Sequence, residues 1–351
     1  MISDSLSERL QLAQKLVSAK QEVALAITDE FFLNHPEWTA RYGERGRQFC
    51  TADACFHVDF LAGSLEADSP EAFADYMRWT ARMLGARGIS AHTLEENLGQ
   101  LEKHLFAKLP AKDRDMVLTF LTRGREACAE PPSAPDAPPT GEGLALTRQV
   151  FLAAILSGQR PAALNIVEEA IRSGHSHVDI YVDVFAASLH HVGKLWEQNQ
   201  ITVAQEHMAT SITQYAIAAI YPRLVPAAVH RGMAVVTGVS GELHQIGANL
   251  VADSLEAEGW NVRFLGSNLP HSSVIAALEE TSANILCIST TIVANLPSVA
   301  ELVQSVHEKL RQRAPRVVLG GAAYRMATHF AREMGATEIS DLRSALATLC
   351  H

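Results

Sequence analysis

Residues 233–247 read MAVVTGVSGELHQIG, and the interpretation of this stretch decides the fold. Met233 to Val239 is a short apolar run rich in valine, with the length and β-branched content of a buried strand. A turn follows, Ser240-Gly241-Glu242-Leu243-His244. Beyond it Ile246, Leu250, Val251 and Leu255 fall at helical spacing. A strand that leads through such a loop into a helix delivers the loop's side chains to the carboxyl edge of a parallel sheet, where α/β folds bind ligands. An imidazole is a good ligand for a transition metal, and its other ring nitrogen needs an acceptor to fix tautomer and orientation. Glu242, two residues before His244, can be that acceptor. Gly247 lets a bulky ligand approach the backbone where a Cβ would intrude.

Downstream, the pattern repeats. Apolar strands are expected near 233–239, 261–266, 284–289, 316–319 and 336–339, alternating with helices. This predicts a five-stranded parallel sheet covered on both faces. Residues 248–288 separate Gly247 from Ser289-Thr290-Thr291 at the end of the third strand, and residues 292–319 lead from there to Gly320-Gly321 at the end of the fourth.

Upstream, residues 143–226 carry four helical patterns, roughly Leu144 to Leu156, Pro161 to Arg172, His177 to Glu197 and Thr202 to Tyr221. Their short connections suit an up-down bundle, which Pro222 and Pro226 end. Ala129 to Glu142, AEPPSAPDAPPTGE, is too proline-rich for a helix or sheet interior and reads as an extended linker. Residues 1–128 read as all helix: Ser69-Pro70 is a helix start, and Leu94, Leu98, Leu101 and Leu105 form a core-facing stripe.

The three loops in register resemble the cobalamin-binding signature, Asp-x-His-x-x-Gly followed by Ser-x-Leu or Ser-x-Thr and then Gly-Gly. Glutamate at 242 replaces the commoner aspartate. The resemblance implies base-off cobalamin with His244 as the lower cobalt ligand, and a nucleotide tail running past Ser289, Thr291, Gly320 and Gly321. The helical bundle is similar to the cap of the light-sensing adenosylcobalamin regulators. Trp196 is followed, after residues 197–205, by Glu206-His207. In that family this pattern encloses the adenosyl group above cobalt. The regulators carry a histidine directly after the tryptophan; this chain has Glu197. That leaves water, His190, His191 or His207 for the upper position after photolysis.

The order of domains, a globin-like helical unit before cap and sheet, resembles the photocobilins, which pair cobalamin with a linear tetrapyrrole. Biliverdin in residues 1–128 is then implied. Arg41 and Arg45, with Arg47, are candidates for its propionates, His57 or Asp59 for its pyrrole nitrogens, and Cys50 or Cys55 for attachment. Haem on His35, His57, His92 or His104 competes with it, as does a domain without a cofactor. The fold class expected is multi-domain α and α/β: an all-helical, globin-like domain over 1–128, a linker over 129–142, a four-helix-bundle cap over 143–226, and a Rossmann- or flavodoxin-like sheet over 227–351.

Composition excludes several functions. The 351 residues are 48% hydrophobic and 19% charged, as in an ordinary soluble globular protein. No apolar run approaches the roughly 20 residues that span a bilayer, and the first ten residues lack the apolar core of a secretory signal. Five cysteines, an odd number in a long chain, point to a reducing, cytoplasmic location. A net charge of −10 without a basic stripe argues against direct nucleic-acid binding. The expectation is a non-enzymatic light sensor, a homo-oligomer (a dimer whose assembly responds to light) in which photolysis of adenosylcobalamin moves the cap. The alternative is a corrinoid methyl-carrier protein of a methyltransferase system.

Overall fold

The computed structural model describes residues 4–130, 143–224 and 227–350. Residues 131–142 of the expected linker, and Pro226, lie outside the described residues.

The N-terminal domain is built from α1 (Asp4–Asn34), α2 (Pro36–Glu66), α3 (Pro70–Gly85), α4 (Ala91–Lys108) and α5 (Ala111–Ala129). Ser69 caps α3 by accepting the Ala72 N–H, and Ser90 caps α4 through Thr93. Gly43 breaks the helical path of α2 at φ 56°, ψ −151°, a conformation open to glycine. Leu16, Ile27, Val58, Leu61, Phe73, Leu98, Leu101 and Leu121 fill the core between these helices.

The second domain contains α6 (Ala145–Leu156), α7 (Arg160–Arg172), α8 (His177–Asp179), a π-helical segment (Ile180–Ala186), α9 (Ala187–Glu197) and α10 (Val203–Ile220). The run 177–197 is one continuous helix whose first half is widened by the π segment. Tyr181, Val184 and Phe185 from that segment are fully buried in the cap core. Thr202 opens α10 with a capping box closed by Gln205.

The third domain alternates β1 (Gly232–Gly238), α11 (Ile246–Ala257), β2 (Trp260–Gly266), α12 (His271–Thr281), β3 (Ile285–Ser289), α13 (Leu296–Leu310), β4 (Arg316–Gly320), α14 (Phe330–Glu333), β5 (Thr337–Ile339) and α15 (Leu342–Cys350). All pairs are parallel, in the order β2-β1-β3-β4-β5. Side chains alternate as a two-sided sheet requires. Val235, Leu286, Ile288, Val317 and Leu319 face α12 and α13, whereas Ala234, Val236, Ile285, Cys287 and Val318 face α11 and α15.

The two helical domains occupy different sides of the sheet. The cap rests on the α11 and α15 side, where Leu250 and Leu342 join its core and Tyr181 donates to Asp253 at 3.0 Å. The N-terminal domain docks on the α13 side. Leu6, Ala67 and Ala72 share that core, and Gly63 packs so closely that a Cβ would lie 2.0 Å from the Val293 carbonyl oxygen. No helix among the described residues is long and apolar enough to cross a membrane.

Candidate functional site

Strand order reverses between β1 and β3, and the crevice outside the carboxyl ends of strands at such a switch point is where open α/β sheets bind ligands. The loop after β1 enters this crevice. Gly241, at φ 87°, makes the turn, with its N–H donated to Asn268 Oδ1 at 2.9 Å. Glu242 is then driven inward until it is fully buried.

A buried carboxylate needs donors for both oxygens, and Glu242 has them. Its Oε1 accepts the His244 backbone N–H at 2.9 Å and lies 2.7 Å from His244 Nδ1. Its Oε2 accepts the Thr291 backbone N–H at 2.7 Å and Asn295 Nδ2 at 3.0 Å. Burial disfavours the ionised form, but the bonds from His244 and Thr291 outweigh it, and the carboxyl titrates below its ordinary range. The hydrogen bond to Glu242 raises the His244 pKa against burial, and the charges of Glu242 and Glu206 push the same way. With Nδ1–H donated to the carboxylate, Nε2 keeps its lone pair, and the side chain is still 58% exposed. An imidazole held through Nδ1, with Nε2 left open, has the arrangement that metal-binding histidines adopt.

The tail residues form a row. In register, Gly238 of β1, Ser289 of β3 and Gly320 of β4 lie side by side, so the strand ends carry almost no side chain there. A Cβ on Gly247 would meet only Ser289 Oγ, at an ordinary 3.8 Å. Protein packing leaves that position open. Gly320 and Gly321 answer to their own neighbours: added Cβ atoms would sit 2.6 Å from Ile339 and 2.2 Å from the Thr290 oxygen. Thr291 serves through its backbone N–H, while Thr290 is buried and accepts from Tyr324 at 3.2 Å. Asn295, Asn268 and Ser267 escaped the sequence reading; Ser267 Oγ is buried beside Gly238 without a partner.

In the cap, Glu206 stands at the start of α10, accepts from Thr210 at 2.9 Å and contacts the His207 ring. Its charge is felt at His244, so this end of the cap lies in the neighbourhood of the imidazole. Trp196 packs against the N-terminal domain. Its ring stacks on Trp79 of α3 at 6.3 Å and lies under the Arg87 guanidinium at 4.9 Å. Arg87 also donates to the Trp196 and Glu197 carbonyls at 3.1 and 3.2 Å. Glu197 is ion-paired with Arg82 at 2.7 Å. Of the three other imidazoles considered above cobalt, His190 is exposed, and partial desolvation together with the cations Arg325 and Lys194 lowers its pKa.

The residues considered for a tetrapyrrole do not converge. His57 is buried and bonded to Tyr76 at 2.8 Å, and Asp59 is paired with Lys20 at 2.8 Å. Arg41 and Arg45 lie exposed over Tyr42 and Phe49. Cys50 and Cys55 are free and half-buried. His35 and His104 are taken by Glu96 and Glu30, each at 2.8 Å, and His92 is at the surface, 4.0 Å from Glu95.

Comparison with known proteins fits this geometry. Two family models, each described as a B12 binding domain, match residues 147–221 and 232–341. Dimethylamine corrinoid protein 2 of Methanosarcina mazei is 24% identical over 170 residues, 48% of this chain and 79% of its own. A corrinoid protein of Desulfitobacterium hafniense is 22% identical over 172 residues, 48% of this chain and 80% of its own. The structure of the Methanosarcina barkeri monomethylamine corrinoid protein superposes with a TM-score of 0.53 at 19% identity, covering 59% of this chain and 99% of that one, a likeness of fold. The residues present fit such a cofactor: a free Nε2, an open cradle at Gly247 and a partnerless buried hydroxyl at Ser267. Residues 147–341 thus carry the paired B12-binding domains of the cobalamin-binding proteins, and a corrinoid is the cofactor they indicate.

Proposed function

We propose that this chain is a corrinoid carrier: it holds the cofactor base-off through His244 Nε2, between cap and sheet, and presents it to partner enzymes that load and unload a methyl group. The observation that carries this reading is the Glu242–His244 pair at the switch point. A bound corrinoid supplies a cobalt centre able to accept and release a one-carbon group. The chain's own part is to orient the imidazole, to line the tail's path with Gly247, Ser289 and Gly320, and to cover the upper side with the start of α10. Its relatives named as methylamine corrinoid proteins favour methyl carriage, and no reaction is assigned to the chain itself.

A second reading, an adenosylcobalamin light switch, is favoured by one contact. Trp196, which the regulators use to wall the adenosyl group, is tied here to the N-terminal domain through Trp79 and Arg87. Movement of that tryptophan would reach a domain that a simple carrier does not need. Biliverdin, which the photocobilin likeness implies, is not proposed, because its candidate residues point to different partners.

One set of measurements separates the readings. The chain is loaded in the dark with methylcobalamin or adenosylcobalamin, and affinity, spectrum and elution volume are followed before and after green light. Tighter methylcobalamin binding, with methyl transfer to an added thiol, is expected for the carrier. Preference for adenosylcobalamin, with a light-driven change of spectrum and size, would replace it by the switch. Failure to bind either would remove both.

A further inference from the structure

The N-terminal domain leaves one apolar face uncovered. On α2, Arg45, Phe49, Ala52, Asp53 and Phe56 share about 100° of helix circumference at 3.6 residues per turn, and all five are exposed. Phe49 is 58% exposed and Phe56 52%. Leu25 of α1, 48% exposed, flanks them on the α1 edge where Gln21 meets Cys55 and Thr28 meets Thr51. Clustered aromatic and aliphatic side chains in contact with water mark a surface that a partner covers.

The chemistry of this face names the partner, because its pattern is symmetric about Phe49. Arg45 lies four residues before it and Asp53 four after. Gly46 and Ala52, both small, lie three before and three after. Among the described residues neither Arg45 nor Asp53 has an ion partner in its own chain; Arg45 lies over the Phe49 ring at 5.4 Å. An antiparallel copy of α2, related by a twofold axis at Phe49, would set each Arg45 against the partner's Asp53, and each Gly46 against the partner's Ala52. The two Phe49 rings would meet on the axis. A twofold interface requires this self-complementarity, and a partner of another sequence gives no reason for it.

We propose that this face is a homodimer interface in which α2 pairs antiparallel with α2 of a second copy around Phe49. The test is sedimentation velocity of the full chain, with and without hydroxocobalamin, at concentrations up to tens of micromolar. A dimer is expected in both states, so a chain that fails to bind the corrinoid still tests the interface. Arg45→Asp places like charges together and should weaken the dimer at least about tenfold. Adding Asp53→Arg to it should restore the parent affinity. Phe49→Glu should give a monomer with the parent's helical circular dichroism, since the ring is exposed. A monomeric parent, a dimer indifferent to all three variants, or a double variant that stays weak would each overturn the proposal.

Discussion

Glu242 does more than its short side chain suggests, because it is a carboxylate with no contact with solvent that satisfies four donors from three residues on two loops. Removing one partner of a buried, charge-assisted network costs the desolvation of whatever is left unpaired. Glu242→Gln keeps the shape but turns an amide NH2 toward a group that donates. It should lower stability by roughly 1–3 kcal/mol and corrinoid affinity about 10–100-fold, as losses of orienting partners do. His244→Ala should bind hydroxocobalamin with a spectrum lacking histidine ligation. Spectral titration checks both, and parental affinity in Glu242→Gln would mean that the carboxylate does not orient the ring. The pair was legible in the sequence because its members stand two residues apart. Asn295 and the Thr291 N–H were not, since they reach Glu242 from 53 and 49 residues away and leave no periodic trace.

At the scale of elements, period and punctuation carried most of the fold. The five strands fall within a residue or so of their expected places, because apolar runs bounded by glycine and asparagine leave few alternatives. Ser69 and Ser90 cap the helices they precede. What stayed hidden is the π segment Ile180–Ala186, which the helical pattern of 177–197 does not distinguish, and the packing of one domain on another. Gly63 illustrates the second case. Inside a helix, alanine is favoured over glycine by about 1 kcal/mol. Gly99 of α4 has nothing within 4 Å of an added Cβ, so Gly99→Ala should stabilise the chain by up to about 1 kcal/mol. Gly63→Ala should do the opposite, because its methyl would occupy the Val293 carbonyl at 2.0 Å, and rigid backbone on both sides leaves no room to yield. Urea unfolding of the two variants should give shifts of opposite sign. Stabilisation by both would mean that α2 does not press on the sheet domain.

In the whole molecule the N-terminal domain touches both other parts, the α13 side of the sheet through Gly63 and the cap through Trp79, Arg82 and Arg87. At the first junction it buries charge. Arg9 pairs with Glu333 at 2.6 Å and stands 3.6 Å from Asp68. Glu66, also buried, has one carboxyl oxygen without a partner. Burial, with the Glu301 charge and against Arg9, pushes the Glu66 carboxyl up to about 8. The sign follows from linkage. Between the ordinary carboxylate value and about 8 the native chain holds a proton that the unfolded chain has released, so stability falls as pH rises through that window. The full loss above it is roughly 3–5 kcal/mol, at 1.36 kcal/mol for each unit of pKa. Glu66→Gln cannot ionise and keeps nearly the same volume. It should therefore be near neutral at pH 5 and clearly stabilising at pH 8.5, as read by urea unfolding at the two values. Because Glu66 closes the same helix that carries Gly63, the gain should come with tighter seating of α2 on the sheet, seen as slower amide exchange along 57–66. A variant equally stable, relative to the parent, at both pH values would mean that the carboxyl is already hydrated and that this junction opens to water.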